Sequence, residues 1–101
     1  THKMVNERTD VYNFGATMYR LVTFKLPPLA IPEMGLKMDE KTFHRQLVPV
    51  SELNPGAPQP LCDLIHRCLS FNATKRPERM SEVQNVLDRL ADEYADQLPD
   101  E

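Results

Sequence analysis

The apolar positions of this chain form three helical patterns that are separated by proline-rich stretches. The first pattern covers residues 9–23 and is apolar nearly all round, with Asn13, Thr17 and Arg20 as its polar interior positions. A helix with so few polar positions is usually buried. At about 14 residues it is also too short to span a bilayer. We therefore predict a central helix that has other helices packed around it.

The ends of this first helix are indicated by local chemistry. Thr9 or Asp10 can accept a hydrogen bond from a free backbone N–H and so cap the helix. Pro27 and Pro28 cannot continue it, and residues before proline favour extended backbone, so the helix should end near Thr23.

Two more helices follow towards the C-terminus. In residues 61–71 the apolar positions 61, 64, 65, 68 and 69 make one stripe. Ser81 opens the last helix, because Ser81 with Gln84 is a capping-box pattern. Its apolar stripe continues through Val83, Val86, Leu87, Leu90, Ala91 and Tyr94, and we expect the helix to fray before Pro99.

The connections carry weaker signals. Pro32 and Gly35 suggest an irregular loop, and Asp39 could start a short helix over 41–47, where Phe43 and Leu47 lie one turn apart. Residues 48–60 are rich in proline and are predicted to form an ordered extended loop. No stretch alternates long enough to be a strand, so the predicted fold is all-α, with about four helices around the central apolar one.

Composition narrows the class of protein. Hydrophobic residues make up 41% of the chain and charged residues 27%, which is ordinary for a soluble globular protein. A net charge of -3 argues against nucleic-acid binding. The sequence has neither a membrane-length apolar run nor a signal-peptide pattern.

The metal-ligating residue types do not form a ligand pattern. Cys62 and Cys68 lack metal-site spacing and are predicted to be buried, reduced thiols of a cytoplasmic protein. His44 and His66 are predicted to be surface helix residues, so we expect no metal site. The acidic tail after residue 91 is most simply a solvated helix end, although a docking tail is the alternative.

Three pieces, in this order, resemble the C-terminal lobe of the protein kinase superfamily. Residues 10–23, Asp-Val-Tyr-Asn-Phe-Gly-Ala-Thr-Met-Tyr-Arg-Leu-Val-Thr, resemble the Asp-x-Tyr/Trp-Ser-x-Gly helix F, the apolar post of that lobe. Residues 61–69 resemble helix H, and Lys75-Arg76-Pro77 with the following residues 81–83 resembles the turn into helix I. Residues 43–47 then fall where helix G would be. The Gly-Ala-Thr-Met-Tyr run favours the serine/threonine branch.

The resemblance implies roles for two residues, and both support a site rather than perform chemistry. Asp10 would accept hydrogen bonds from backbone N–H groups of the catalytic loop. Arg76 would form a buried ion pair with the Glu of an Ala-Pro-Glu motif, since a planar guanidinium matches a carboxylate with two parallel bonds. Both partners would lie upstream of Thr1. An unpaired buried charge is costly, so we expect Arg76 to face solvent or to find a substitute partner.

One position departs from the family pattern. Phe24 stands where the family commonly has Gly after helix F. A Gly there takes positive φ at the helix end. Phe24 therefore predicts a different helix end or an added apolar contact.

The parts needed for phosphoryl transfer are missing at the right spacing: a Gly-rich loop, a strand Lys, a catalytic Asp with its Asn, and a metal-binding Asp. Three kinds of short stretch resemble kinase motifs. Asn-Phe-Gly at 13–15 resembles Asp-Phe-Gly, Ile-Pro-Glu at 31–33 resembles Ala-Pro-Glu, and the His-Arg pairs at 44–45 and 66–67 resemble His-Arg-Asp. Their order argues against a compressed, degenerate kinase, because in the family His-Arg-Asp precedes Asp-Phe-Gly. We therefore expect no catalytic, cofactor-binding or metal residue in this chain.

Two hypotheses remain from the sequence. In the first, residues 1–101 are one partial domain, helices F to I of a cytoplasmic serine/threonine protein kinase. The parent would use ATP and Mg²⁺ to phosphorylate protein substrates, and this chain would partner the rest of the kinase domain. In the second, the chain is a freestanding helical interaction or regulatory module, or a pseudokinase remnant, which self-associates through exposed apolar surface.

Overall fold

The computed structural model describes residues 7–28 and 39–94, apart from the side chain of Tyr94, and every regular element in these ranges is a helix. The helices are α1 (Glu7–Thr23), α2 (Glu40–Gln46), α3 (Val50–Leu53), α4 (Gln59–Cys68) and α5 (Met80–Tyr94), with a 3₁₀ helix at Ala73–Lys75. The all-α prediction is therefore confirmed.

Helices α1 and α4 approach each other closely at Gly15. A Cβ placed on Gly15 would lie 2.6 Å from the Cβ of Cys68 and 3.4 Å from the Cγ of Leu69. Since glycine lacks this atom, the backbone of α1 at Gly15 can pack directly against the Cβ of Cys68. α1 is the central helix, as the sequence predicts, because it packs against α3, α4, α5 and the 3₁₀ helix.

The main hydrophobic cluster of the described residues lies on one side of α1. The stripe predicted on α4 is confirmed: four of its five members are buried, and Leu61 is partly so. The buried cluster consists of Val11, Met18, Tyr19, Val50, Cys62, Leu64, Ile65, Cys68, Leu69 and Val83. Burial of each large aliphatic side chain stabilises the fold by about 1.5–3 kcal/mol before the opposing chain entropy is counted.

The predicted helix starts are right at α2 and wrong at α1 and α5. Asp39 caps α2, with its Oδ1 accepting from the Thr42 N–H at 2.7 Å. α1 begins at Glu7, so Thr9 and Asp10 lie inside its first turn rather than at its cap. An acidic Glu7 near a helix N-terminus is favourable there, which helps to explain the longer helix.

At α5 the N-terminal N–H groups are satisfied by Glu82 instead of Ser81. α5 begins at Met80, and the Glu82 Oε1 accepts from the N–H of Glu78 at 2.7 Å and of Arg79 at 3.3 Å. This is the backward-reaching half of a capping box, in which Glu82 accepts from the N–H of the N-cap Arg79, two positions before the predicted Ser81 and Gln84 pair.

The extended loop predicted for residues 48–60 is wrong in part, because α3 lies within it. Pro49 immediately precedes α3 and Pro58 immediately precedes α4. Proline suits the start of a helix, where its missing N–H is not needed. α4 accordingly covers 59–68 rather than the predicted 61–71.

The C-terminus of α1 corrects the prediction for Phe24. Phe24 has φ 63°, and its N–H donates to the Arg20 carbonyl oxygen at 2.8 Å. This is the left-handed end that a glycine would form, so the helix does not end differently. The side chain is 88% exposed, so no burial compensates for the unfavourable backbone.

Several predictions lie outside the described residues. They are the irregular loop with Pro32 and Gly35, the Ile-Pro-Glu triplet at 31–33, the fraying before Pro99 and the acidic tail beyond residue 94. No helix in the described ranges has both the length and the apolarity that a membrane span requires.

Candidate functional site

Arg76 connects the turn after α4 to the beginning of α1. Asn72 caps the 3₁₀ helix Ala73–Lys75 by accepting from the Thr74 N–H, and Arg76 follows as the C-cap. Its Nε donates to the Ser70 carbonyl oxygen at 2.7 Å, and its Nη2 donates to the Phe71 carbonyl oxygen at 3.2 Å.

The third donor of Arg76 bonds to a residue that is distant in the sequence. Nη1 donates to the carbonyl oxygen of Arg8, in the first turn of α1, at 3.1 Å. The guanidinium carbon lies 4.8 Å from the centroid of the Tyr12 ring, within cation–π range. Partial burial lowers the pKa of Arg76 below its ordinary value, and the electrostatic interaction with the adjacent Tyr12 side chain opposes this shift.

These contacts leave part of the guanidinium available. Arg carries five N–H donors. The three bonds use Nε and one N–H on each terminal nitrogen, so that one N–H remains on each of Nη1 and Nη2. Two N–H donors of Arg76 are therefore left without an acceptor among the described residues, and two is the number that a bidentate carboxylate requires. Carbonyl oxygens thus partner Arg76 in this structure, and the Glu partner implied by the resemblance stays a prediction.

Asp10 lies on the opposite, solvent-exposed side of α1. Its side chain is exposed, and its carboxylate makes no hydrogen bond or ion pair to another residue in the described ranges. Asn13, Thr17, Arg20 and Leu21 are exposed on the same stripe of the helix, at spacings of three and four. An acceptor carboxylate therefore points out of a surface that also carries an exposed leucine.

The structure does not join the two predicted residues into one polar site. Arg76 is held on the side of α1 that carries Tyr12, whereas Asp10 lies on the exposed stripe. The two supporting roles that the resemblance implies for these residues stay predictions.

The look-alike triplets have structural explanations. The Asn-Phe-Gly at 13–15 is interior to α1, where Gly15 packs on Cys68. His44 is exposed, and its Nε2 lies 3.6 Å from the Glu40 Oε2. In the parts of the chain that are described, no group of three or more His, Cys, Asp or Glu side chains could hold a metal ion.

Both cysteines are unpaired and buried, as predicted. Burial raises the pKa of Cys68 to about 11, against a smaller opposing effect of Arg67. Burial also raises the pKa of Cys62. Since the thiolate is the reactive and metal-binding form, neither thiol is suited to nucleophilic chemistry.

His66 corrects the prediction of a surface histidine. It is half-buried, and its Nε2 accepts the N–H of Val50 at 3.0 Å, where α3 begins. The only sequence signal was its place beside the apolar stripe of α4. Its acceptor role could not be found there, because the donor belongs to a different helix.

The comparisons with known proteins point to kinases. Over 90 residues, 89% of the chain, the sequence is 30% identical to a probable serine/threonine-protein kinase of Clostridium acetobutylicum. The chain spans about one eighth of that protein, since the matched part is 13% of its length. No family model matches the sequence, and no solved structure matches it. The similarity supports a relation between this chain and part of a kinase.

Proposed function

We propose that this chain is the C-terminal part of a serine/threonine protein kinase catalytic domain, helices F to I, and that it supports an active site formed by other residues. The parent protein would transfer the ATP γ-phosphoryl group to Ser or Thr hydroxyls with Mg²⁺. The chain itself would neither bind ATP nor catalyse.

One observation carries the proposal, namely the exposed stripe of α1 with Asp10 at its start. A central helix should be covered on all sides, yet Leu21 is 69% exposed and Asp10 has no described partner. A segment that covered this stripe would bury the leucine and could give the carboxylate its N–H donors. The chain matches about one eighth of the kinase to which it is similar, which is consistent with such a missing segment.

Arg76 supports the same proposal independently. Its three carbonyl bonds fix the guanidinium near Tyr12 and leave one N–H on each terminal nitrogen. A carboxylate arriving from outside the described residues would complete this arrangement. Because these bonds already orient the guanidinium of Arg76, little side-chain entropy would be lost when a carboxylate pairs with it.

The first test is to read the coding sequence upstream of Thr1. We expect His-Arg-Asp, Asp-Phe-Gly and Ala-Pro-Glu in that order. A start codon close to Thr1 would contradict the proposal and favour the interaction module.

The second test concerns the chain alone. Titration calorimetry of the 101-residue chain with Mg·ATP should give no binding heat, since no phosphate-binding loop is present. Binding in the micromolar range would contradict the proposed division between this chain and the active site.

The third test uses the longer protein, if the first test shows one. Asp10→Asn should lower kcat/KM for phosphoryl transfer by about 10–100-fold, the usual effect of removing a residue that orients a catalytic group. Asp88→Asn, another exposed helix carboxylate, is the matched control and should leave the rate unchanged. Equal effects of the two substitutions would remove the support for Asp10.

A second candidate function, a self-associating helical module, is favoured by the exposed apolar residues near the end of α1. Leu21, Phe24 and Leu26 are 69%, 88% and 71% exposed. Exposed apolar surface of this kind often marks an interface. Sedimentation velocity should then show a mass that rises with concentration and falls to the monomer in Leu21→Ser but not in Val48→Thr. A monomer at every concentration would remove this candidate.

A further inference from the structure

Among the described residues, three hydrogen bonds attach residues 48–54, which include α3, to helices α1 and α4. The Tyr19 hydroxyl donates to the Val48 carbonyl oxygen at 2.6 Å. The Asn54 Nδ2 donates to the Val22 carbonyl oxygen at 3.0 Å. The third contact is the N–H of Val50, which donates to the His66 Nε2 at 3.0 Å.

The His66 contact satisfies a backbone group that has no other partner among the described residues. The first N–H groups of a helix lack intrahelical acceptors. Pro49, the N-cap of α3, provides no side-chain acceptor. Val50 is fully buried, so its N–H cannot turn to solvent without moving the segment. An unsatisfied buried N–H costs about 1–3 kcal/mol.

We propose that His66 holds residues 48–54 against α4 only while its imidazole is neutral, so that this attachment loosens as the pH falls below neutrality. Neutral imidazole has one acceptor nitrogen, and here Nε2 fills that role, which leaves the proton on Nδ1. Protonated imidazole has two donors and no acceptor. Protonation would therefore set two N–H groups against each other at the start of α3.

The other two contacts do not titrate in the same range. Burial raises the pKa of Tyr19 above its ordinary value, and Asn54 carries no titrating group. Lowering the pH should therefore weaken one contact of the three and loosen the segment without unfolding the core beneath it.

The electrostatic surroundings of His66 are consistent with an imidazole that is neutral near neutral pH and becomes protonated as the pH falls. Burial lowers its pKa below the ordinary value, and Asp63, on the same helix, opposes the shift. The packed helices also carry Tyr19 on α1, Glu52 on α3 and Glu82 on α5, but Asp63 is the charged group that acts on the pKa of His66. The contact contributes stability above the unfolded pKa and loses it as pH falls through the folded one.

The experiment measures amide hydrogen exchange and histidine ring shifts by NMR on the 101-residue chain, from about pH 8 to about pH 5. After correction for the intrinsic pH dependence of exchange, protection of the Val50 amide should fall by about tenfold or more at the acid end. The midpoint should coincide with the titration of the His66 ring.

Two variants distinguish protonation of His66 from a loss of amide protection at low pH that has another cause. In His66→Gln the side-chain oxygen can accept a hydrogen bond but does not titrate, so the pH dependence at Val50 should disappear. His44→Gln is the matched control, since His44 is exposed, and it should behave as the unaltered chain. If His66→Gln does not fold, the coincidence of the two midpoints in the unaltered chain decides. Constant Val50 protection, or different midpoints, would overturn the proposal.

Discussion

The two faces of α1 have opposite environments although one continuous sequence forms both. On the inner face Gly15 lies against Cys68, and Val11 and Tyr19 are almost fully buried. On the outer face Asp10 and Leu21 stand in solvent. Residue types explain most of this difference, because the exposed stripe carries the polar residues Asp10, Asn13, Thr17 and Arg20. Leu21 is the exception, since it is as apolar as the buried side chains and is still 69% exposed.

The largest difference between the faces should appear when a large side chain is removed from each. Met18 is 8% exposed, and Met18→Ala should lower the free energy of unfolding by about 2–5 kcal/mol, the range for buried large-to-small changes. Leu21→Ala on the outer face should change it by less than about 0.5 kcal/mol. Urea denaturation of both variants tests the comparison, and similar losses would show that Leu21 is covered in solution.

The next effect concerns the close approach of α1 and α4. Gly15→Ala would place a Cβ 2.6 Å from that of Cys68, so the helices must move apart. We expect a net loss of about 1–3 kcal/mol, even though alanine favours a helix. Thr17→Ala, on the exposed stripe, is the control and should be neutral or slightly stabilising. Thermal unfolding followed by circular dichroism distinguishes them, and equal stability of the two variants would contradict the close packing.

A smaller effect of opposite sign is expected at the end of the outer face. Phe24→Gly should stabilise the chain by about 1 kcal/mol, because glycine adopts the observed positive φ without the strain of a side chain. Phe24→Ala keeps that strain and should give little change. A urea midpoint that rises equally for both variants would assign the gain to removal of the exposed ring instead.

The smallest effect on stability should come from Asp10, the residue for which we propose a role in supporting the active site of the longer protein. Asp10→Asn should change the free energy of unfolding of the 101-residue chain by less than about 1 kcal/mol, through loss of a favourable charge near the helix N-terminus. This small effect would contrast with the loss of activity proposed for the longer protein. A destabilisation of several kcal/mol would indicate that Asp10 already has a structural partner in this chain.

Much of the fold could be predicted because its signals are local. The stripe of α4 follows from apolar residues three and four positions apart, and Asp39 caps α2 through an N–H only three residues away. The same reasoning failed at the start of α5. The predicted Ser81 cap is not used there, and Glu82 instead accepts from the N–H groups of Glu78 and Arg79, just before the helix begins.

For the candidate site the sequence indicated the residues but not their surroundings. Arg76 and Asp10 were selected by resemblance, and the first partners of Arg76 turned out to be carbonyl oxygens that any residue type could provide. His66 was taken as a surface residue because its donor, the N–H of Val50, belongs to another helix. Backbone groups carry no sequence signal, so contacts to them become visible only after the chain is folded.

The sequence by itself determined the helical class, the central apolar helix and the stripe of α4 packed on it, since each depends on spacing within one segment. Tertiary structure alone decided the exposure of Leu21, the left-handed backbone at Phe24 and the acceptors around Arg76. These features depend on which segments meet in space and which part of α1 is left without a neighbour. The physical reason is that helix formation is governed by neighbours along the chain, whereas burial and hydrogen-bond pairing are governed by neighbours across it.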